Sequence, residues 1–388
     1  MNARDLGNAF PAAAADGSAT ADAARVPQKI SPAFSAYLDL VRFCAAMTVL
    51  IAHLIEQFPV PFPVPLHGKD AVIAFFVLSG FVVAFVADTK ERTPGPFLFS
   101  RATRLSSVFV PALILGLLLM PLAGQKNWLS PHVLGPAVGA SVVNAFYLGQ
   151  NWFLDITPPN NNPSWSLNYE AWYYLIFAGA VFARGAWRWP VALLLGACAG
   201  PKILILMPCW IAGVWLYRYG NKFTLSNRNA VLLFLASIAA YLVYLALDLN
   251  KDIRTELHAH MPALIDSLGW SNRFAGDYLL CGIILANFIA ARDMTAIFAR
   301  TMIRYSTTVK WLAGYTLSIY LFHDPLIAVF GHQLEPLHLG RFEAPIILAL
   351  LIPSIMLLAS VSELQLSRLR KGLRKLLARN PQPHFSAS

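Results

Sequence analysis

Charge is scarce in this sequence. Lysine, arginine, aspartate and glutamate supply 13% of its 388 residues, about half the ~25% share of an ordinary soluble protein. That shortage excludes a soluble globular class. Cysteine is scarce too. The four present, Cys44, Cys198, Cys209 and Cys281, all lie inside apolar stretches with no CxxC pair, which argues against a disulfide framework or a zinc site. Residues 1–31 contain no apolar core of the kind a cleavable signal peptide needs. Their Ala- and Asp-rich composition reads as a disordered cytoplasmic tail. No internal repeat is evident, which weighs against a transporter built from inverted halves.

Apolar residues are abundant instead. They make up 57% of the chain, and the mean hydropathy is +0.55. Apolar blocks fall near 36–56, 70–88, 105–123, 134–150, 166–183, 189–200, 203–217, 229–248, 276–291, 311–331 and 344–362. Most are long enough to enter a hydrocarbon core about 30 Å thick.

The positive charges between the blocks set a topology. Arg25 and Lys29 place the N-terminus inside, and Lys90, Arg92, Arg101 and Arg104 place the second connection inside. Arg184 and Arg188 mark an inner end, whereas Asn151–Asn168 carries no positive charge and belongs outside. The 134–150 block then cannot cross fully and reads as re-entrant or interfacial. Arg218, Lys222 and Arg228 return inside, as do Arg292 to Lys310, with loops 249–275 and 332–343 outside. The predicted fold class is all-α, a polytopic transmembrane helical bundle with about ten crossings and both termini cytoplasmic. One membrane domain, 32–364, stands between the tail 1–31 and a basic amphipathic cytoplasmic tail, 365–388.

The net charge of +10 follows from this inside bias and does not imply nucleic-acid binding. Within the C-terminal tail, Ser367–Arg379 reads SRLRKGLRKLLAR. It sets leucines against basic residues, as an interfacial helix drawn to anionic lipids does. Plain topology anchoring accounts for it equally.

A few polar residues sit where lipid makes them costly. In LDLVRFCAAMTVLIAHLIEQF (Leu38–Phe58), the eleven helical steps from Arg42 to His53 rise about 16 Å and turn about 1100°, so both residues share one face. An arginine at depth costs about 2.5–3.5 kcal/mol. It either faces a polar cavity or pairs with Asp39 near the interface while His53 snorkels. Ser79-Gly80 in FFVLSGF (Phe75–Phe81) reads first as a close helix contact. Without a GxSxG elbow, Ser79 is a poor nucleophile.

Arg101 and Arg104 lie one turn apart, as anchoring residues or as a clamp for phosphate or carboxylate. Glu170 opens a crossing, either as a helix-dipole partner or to orient His53 at the same depth. His323 lies near the outer end of its helix, with Ser318 and Tyr320 deeper. His258-Ala-His260 reads as a solvated loop pair, and no metal site is predicted.

Taken together, these motifs resemble the acyltransferase-3 family of integral membrane acyltransferases. The resemblance rests on Leu38-Asp39 with Arg42 and His53, on Phe75–Phe81, and on Arg101-x-x-Arg104-Leu105. Trp165-Ser166-Leu167-x-x-Glu170 and Ser318-x-Tyr320-Leu321-x-His323-x-Pro325 complete it. It runs from about Tyr37 to Leu364, in the stand-alone form without a fused esterase-like domain. Two departures stand out. LDLVR replaces the common LDGLR, and Ala171 stands where many members carry a second acid, which leaves Glu170 alone in that role.

The resemblance implies transfer of an acyl group, usually acetyl, from cytoplasmic acetyl-CoA or another acyl-CoA to a hydroxyl of a carbohydrate or other envelope acceptor. No bound cofactor is implied, and the setting is a bacterial inner membrane. On this reading His53 is the general base or a transient acyl carrier, with Glu170 or a neighbour holding its tautomer. Arg42 reaches toward the thioester, and Arg101 and Arg104 bind donor phosphate. His323, Ser318, Tyr320, Trp165 and Ser79 are secondary site residues. The alternative is a secondary transporter of an anionic solute, whose path the same arginines would line.

Overall fold

The structure, a computed structural model, describes residues 29–60, 66–294 and 297–379. Of the predicted tail 1–31, only the last three residues lie within that range. The described residues are helical and contain no strand.

Serine and proline start the first helix. The Ser31 hydroxyl accepts the Phe34 amide at 3.2 Å, and Pro32 fills the first helical position, where its missing N–H costs nothing. The helices then run α1 Pro32–Gln57, α2 Gly68–Thr89, α3 Pro94–Leu118, α4 Pro131–Ala145, α5 Trp165–Phe182 and α6 Arg188–Ala199. After them come α7 Pro201–Tyr219, α8 Asn227–Ala246, α9 Leu249–His260, α10 Pro262–Ser267 and α11 Phe274–Asp293. The chain closes with α12 Ile297–Arg304, α13 Ser306–Ala313, α14 Thr316–Leu334, α15 Glu343–Val361 and α16 Leu366–Arg379.

Seven helices are long and apolar enough to cross a membrane: α1, α2, α3, α7, α8, α11 and α15. The bent pair α13 and α14, broken by 44°, makes an eighth. The protein is a multi-pass membrane protein. The two further crossings of the sequence map correspond to α5, whose first turns are polar and aromatic, and α6, whose 12 residues span only about 18 Å. The block at 134–150 becomes α4. Its 15 residues reach about 22 Å, short of a full crossing.

Helix α2 is the axis of the bundle. In its most apolar stretch 72% of residues are buried, against 22% for α8, which faces outward. Two glycines let α2 and α7 touch backbone to backbone. A Cβ on Gly80 would lie 1.9 Å from the Trp210 carbonyl oxygen, and one on Gly213 would lie 1.9 Å from that of Val77. The close-contact reading of Ser79-Gly80 therefore holds. Around this seam pack buried rings from Phe76, Tyr169, Tyr173 and Trp210.

Two details position the site. The break before α14 is capped from afar: the Glu363 carboxylate accepts the Ser318 amide at 2.9 Å, the Ser318 hydroxyl at 2.8 Å and the Leu317 amide at 3.4 Å. The N-terminus of α5 is sunk inside the protein, with Asn161 and Ser164 fully buried and Trp165 at 4% exposure. Asn161 Nδ2 donates to the Leu321 carbonyl at 3.0 Å, and Asn168 Oδ1 accepts the Gly149 amide at 3.0 Å. The 249–275 segment, read as a loop, folds into α9 and α10 and brings Arg254 and Trp270 to the same region.

Candidate active site

His53 and His323, 270 residues apart in sequence, meet inside the bundle. His53 Nδ1 lies 2.8 Å from His323 Nε2, and the rings are nearly parallel, at 21° with centroids 5.1 Å apart. His323 is fully buried on α14, and its Nδ1 lies 2.9 Å from the Ile319 carbonyl. A carbonyl only accepts, so His323 Nδ1 carries the proton. In the neutral ring the other nitrogen is bare, and it accepts the hydrogen bond from His53 Nδ1–H. His53 Nε2 is thereby left bare, beside the start of α2, where a Cβ on Gly68 would sit 3.7 Å away. An imidazole held in one tautomer with a free ring nitrogen is equipped to take a proton.

His53 lines a cavity together with Gly68, Glu56, Lys69, Trp165, Trp270, Tyr320 and Asp324, among others. The Asp324 carboxylate, 9% exposed, accepts the Asn162 amide at 2.9 Å. The indoles of Trp165 and Trp270 stack at 4° with centroids 5.5 Å apart, and Lys69 Nζ lies 4.7 Å from the Trp270 ring centre.

A second cavity lies toward the other end of α1. Arg42, Arg101, Arg104, Ser79, Ser166, Glu170, Tyr174, Thr316 and Tyr320 line it. Arg42 pairs with Asp39 at 3.3 Å while lining this cavity, so both readings of that arginine apply. Arg101 is 6% exposed, sits 3.3 Å from Glu91, and keeps a buried Nε with no hydrogen-bond partner. Tyr320 borders both cavities. Its hydroxyl is fixed by Ser166 Oγ at 2.7 Å and the Pro163 carbonyl at 2.8 Å.

Glu170 is not where the sequence placed it. Its carboxylate accepts the Ser79 hydroxyl at 2.5 Å and the Tyr174 hydroxyl, in the arginine-lined cavity. The ring that fixes His53 is His323. Depth counted along the sequence assumed that α5 starts at the membrane surface. Its buried start carries Glu170, five residues beyond Trp165 and about 7 Å further along the helix, into the arginine-lined cavity and out of the one that His53 and Trp165 line. Ser79 is occupied as well, since it also accepts the Trp210 indole N–H at 3.2 Å. Ser318, in the first turn of α14, is held by the capping Glu363.

The sequence profile of the acyltransferase-3 family, described as an acyltransferase domain, matches residues 35–363. The chain belongs to that family. Among curated relatives of this family member is the exopolysaccharide production protein ExoZ of Rhizobium meliloti (strain 1021), 29% identical over 131 residues, 32% of this chain and 38% of that protein. Another is the acyltransferase MdmB of Streptomyces mycarofaciens, 32% identical over 171 residues, 41% of this chain and 42% of that protein. The chain thus spans about two fifths of the length of these relatives. No solved structure matches.

Several residues of the candidate site escaped sequence reasoning. Asp324 follows His323 directly, and a carboxylate in an apolar run was a signal in itself. Trp270 and Lys69 gave none, because the first lies in a segment read as a loop and the second at a helix start. Glu363 stands at the end of the last apolar block, where nothing in its own segment points to α14.

Proposed function

We propose that this protein transfers an acyl group, most simply acetyl, from cytoplasmic acyl-CoA to a hydroxyl of a carbohydrate reached from the opposite face of the membrane. The observation that carries this reading is the pairing of two cavities across Tyr320, one lined by Arg42, Arg101 and Arg104 and the other holding the bare His53 Nε2. Guanidinium groups suit the phosphates of coenzyme A. Stacked indoles suit the face of a sugar ring, and the exopolysaccharide role in the name of ExoZ supports that acceptor class.

His53 Nε2 takes the proton of the acceptor hydroxyl as its oxygen attacks the thioester carbonyl. The carbon–sulfur bond then breaks, and the departing coenzyme A thiolate takes that proton back from His53. While His53 is cationic, its Nδ1–H donates to His323, and the Asp324 carboxylate lines the same cavity. Arg42, between the two ends of α1, lies toward the thioester.

The test is acetyl-CoA binding to purified protein in nanodiscs. Wild type and His53→Ala are expected to bind saturably, and Arg101→Glu/Arg104→Glu is expected to lose binding. His53→Ala should transfer no label to extracted envelope glycans. If acetyl-CoA and longer acyl-CoAs all fail to bind wild type, the reading is overturned, and flux of an anionic solute becomes the measurement to make.

A further inference from the structure

We infer that α16 is part of the donor site, and that Arg370 binds the 3′-phosphate at the nucleotide end of coenzyme A. This rests on the acyl-CoA reading above and extends it to the basic C-terminal helix.

The sequence reads α16 as a helix for the lipid surface. The structure pins it to the turn of α3 that carries the donor arginines. Arg370 Nε donates to Thr103 Oγ1 at 2.9 Å, and its Nη2 donates to the Ser100 carbonyl at 2.7 Å. One turn on, Arg374 lies over the Phe99 ring at 5.5 Å. The Ser100 hydroxyl accepts from Arg370 at 3.2 Å and from Arg101 at 3.2 Å. The two guanidinium nitrogens are therefore no farther apart than twice that distance.

Charge makes this arrangement informative. Arg101, Arg104 and Arg370 converge on two turns of α3, and the one carboxylate within ion-pair distance of any of them, among the described residues, is Glu91 on Arg101. Like charges this close repel unless a counter-anion joins them. Two features show where it would sit. Arg101, more than nine-tenths buried, keeps an unpartnered Nε, and the bonds of Arg370 use only Nε and Nη2. Anchoring alone would need only a neutral donor facing Ser100 and Thr103. The thioester must travel inward toward His53, so the nucleotide trails toward the turn of α3 against which α16 packs. Its 3′-phosphate is the most charged single group there.

The experiment measures binding of acetyl-CoA and 3′-dephospho-acetyl-CoA to wild type, Arg370→Ala and Arg370→Lys in phosphatidylcholine nanodiscs. Wild type should prefer the phosphorylated donor by about 10-fold, the worth of one charge-assisted contact. Arg370→Ala should abolish that preference while leaving dephospho-donor affinity unchanged, and Arg370→Lys should restore part of it. Equal weakening of both donors would make Arg370 a helix anchor and overturn the inference. So would a preference that survives in Arg370→Ala, or one that appears only when phosphatidylglycerol is added, which would assign Arg370 to a lipid headgroup. Failure of wild type to bind either donor removes the acyl-CoA reading and this inference with it. Binding without discrimination removes only this one.

Discussion

The two cavities share a wall and differ in how they treat charge. The arginine-lined cavity collects Arg42, Arg101 and Arg104 and gives them few partners. Its own acid, Glu170, is bound to Ser79 and Tyr174. The histidine cavity mixes both signs, with Glu56 and Asp324 beside Lys69, Arg254 and Arg273. Its His53 ring is fixed through a chain of hydrogen bonds that ends on the Ile319 backbone, and Asp324 is tied to the Asn162 amide. One cavity gathers guanidinium groups with few carboxylate partners, which suits binding an anion. The other holds a hydrogen-bonded histidine pair with one free lone pair, which suits moving a proton.

The largest test of this contrast removes both cavities together. Gly213→Ala drives a Cβ against the Val77 carbonyl at 1.9 Å and should cost about 3 kcal/mol or more, seen as a lower melting temperature and poor recovery of folded protein. Next comes His53→Ala, expected to lower turnover by about 10²–10⁴-fold with acetyl-CoA affinity intact by equilibrium binding. His323→Ala should lower kcat by about 10–100-fold, less than loss of the base itself. Steady-state kinetics should show donor KM unmoved. Arg104→Ala reverses that pattern, raising donor KM about 10-fold with little change in kcat. The smallest effect sharpens the division most. Glu170→Gln should leave the pH profile of kcat/KM in place, whereas a shift in its limb would tie Glu170 to His53 after all.

Helix type and the two clusters were legible because they depend on local quantities. An apolar block, an i,i+3 arginine pair and the Arg42–His53 spacing can each be read from one segment. The level of Glu170 was not, because it depends on how far the start of α5 sinks beneath its neighbours, which Asn161 and Asn168 fix through contacts remote in sequence. The His53–His323 pair was half legible. Both residues were singled out, but nothing in either segment shows that one ring addresses the other. Lys69 and Trp270 join the histidine cavity, and Arg370 reaches Ser100 and Thr103, only through tertiary packing.

The cap that Glu363 supplies to α14 has a consequence for biogenesis. Every residue lining either cavity lies at or before Asp324, yet the acceptor for the Leu317 and Ser318 amides lies beyond α15. A nascent chain therefore holds every side chain that lines the two cavities before it can hold their shape. The broken helix stays short of partners until the last hairpin is threaded. Completion of the site coincides with completion of insertion, so a stalled or truncated translation product would carry the histidines and arginines without the geometry that lets them work.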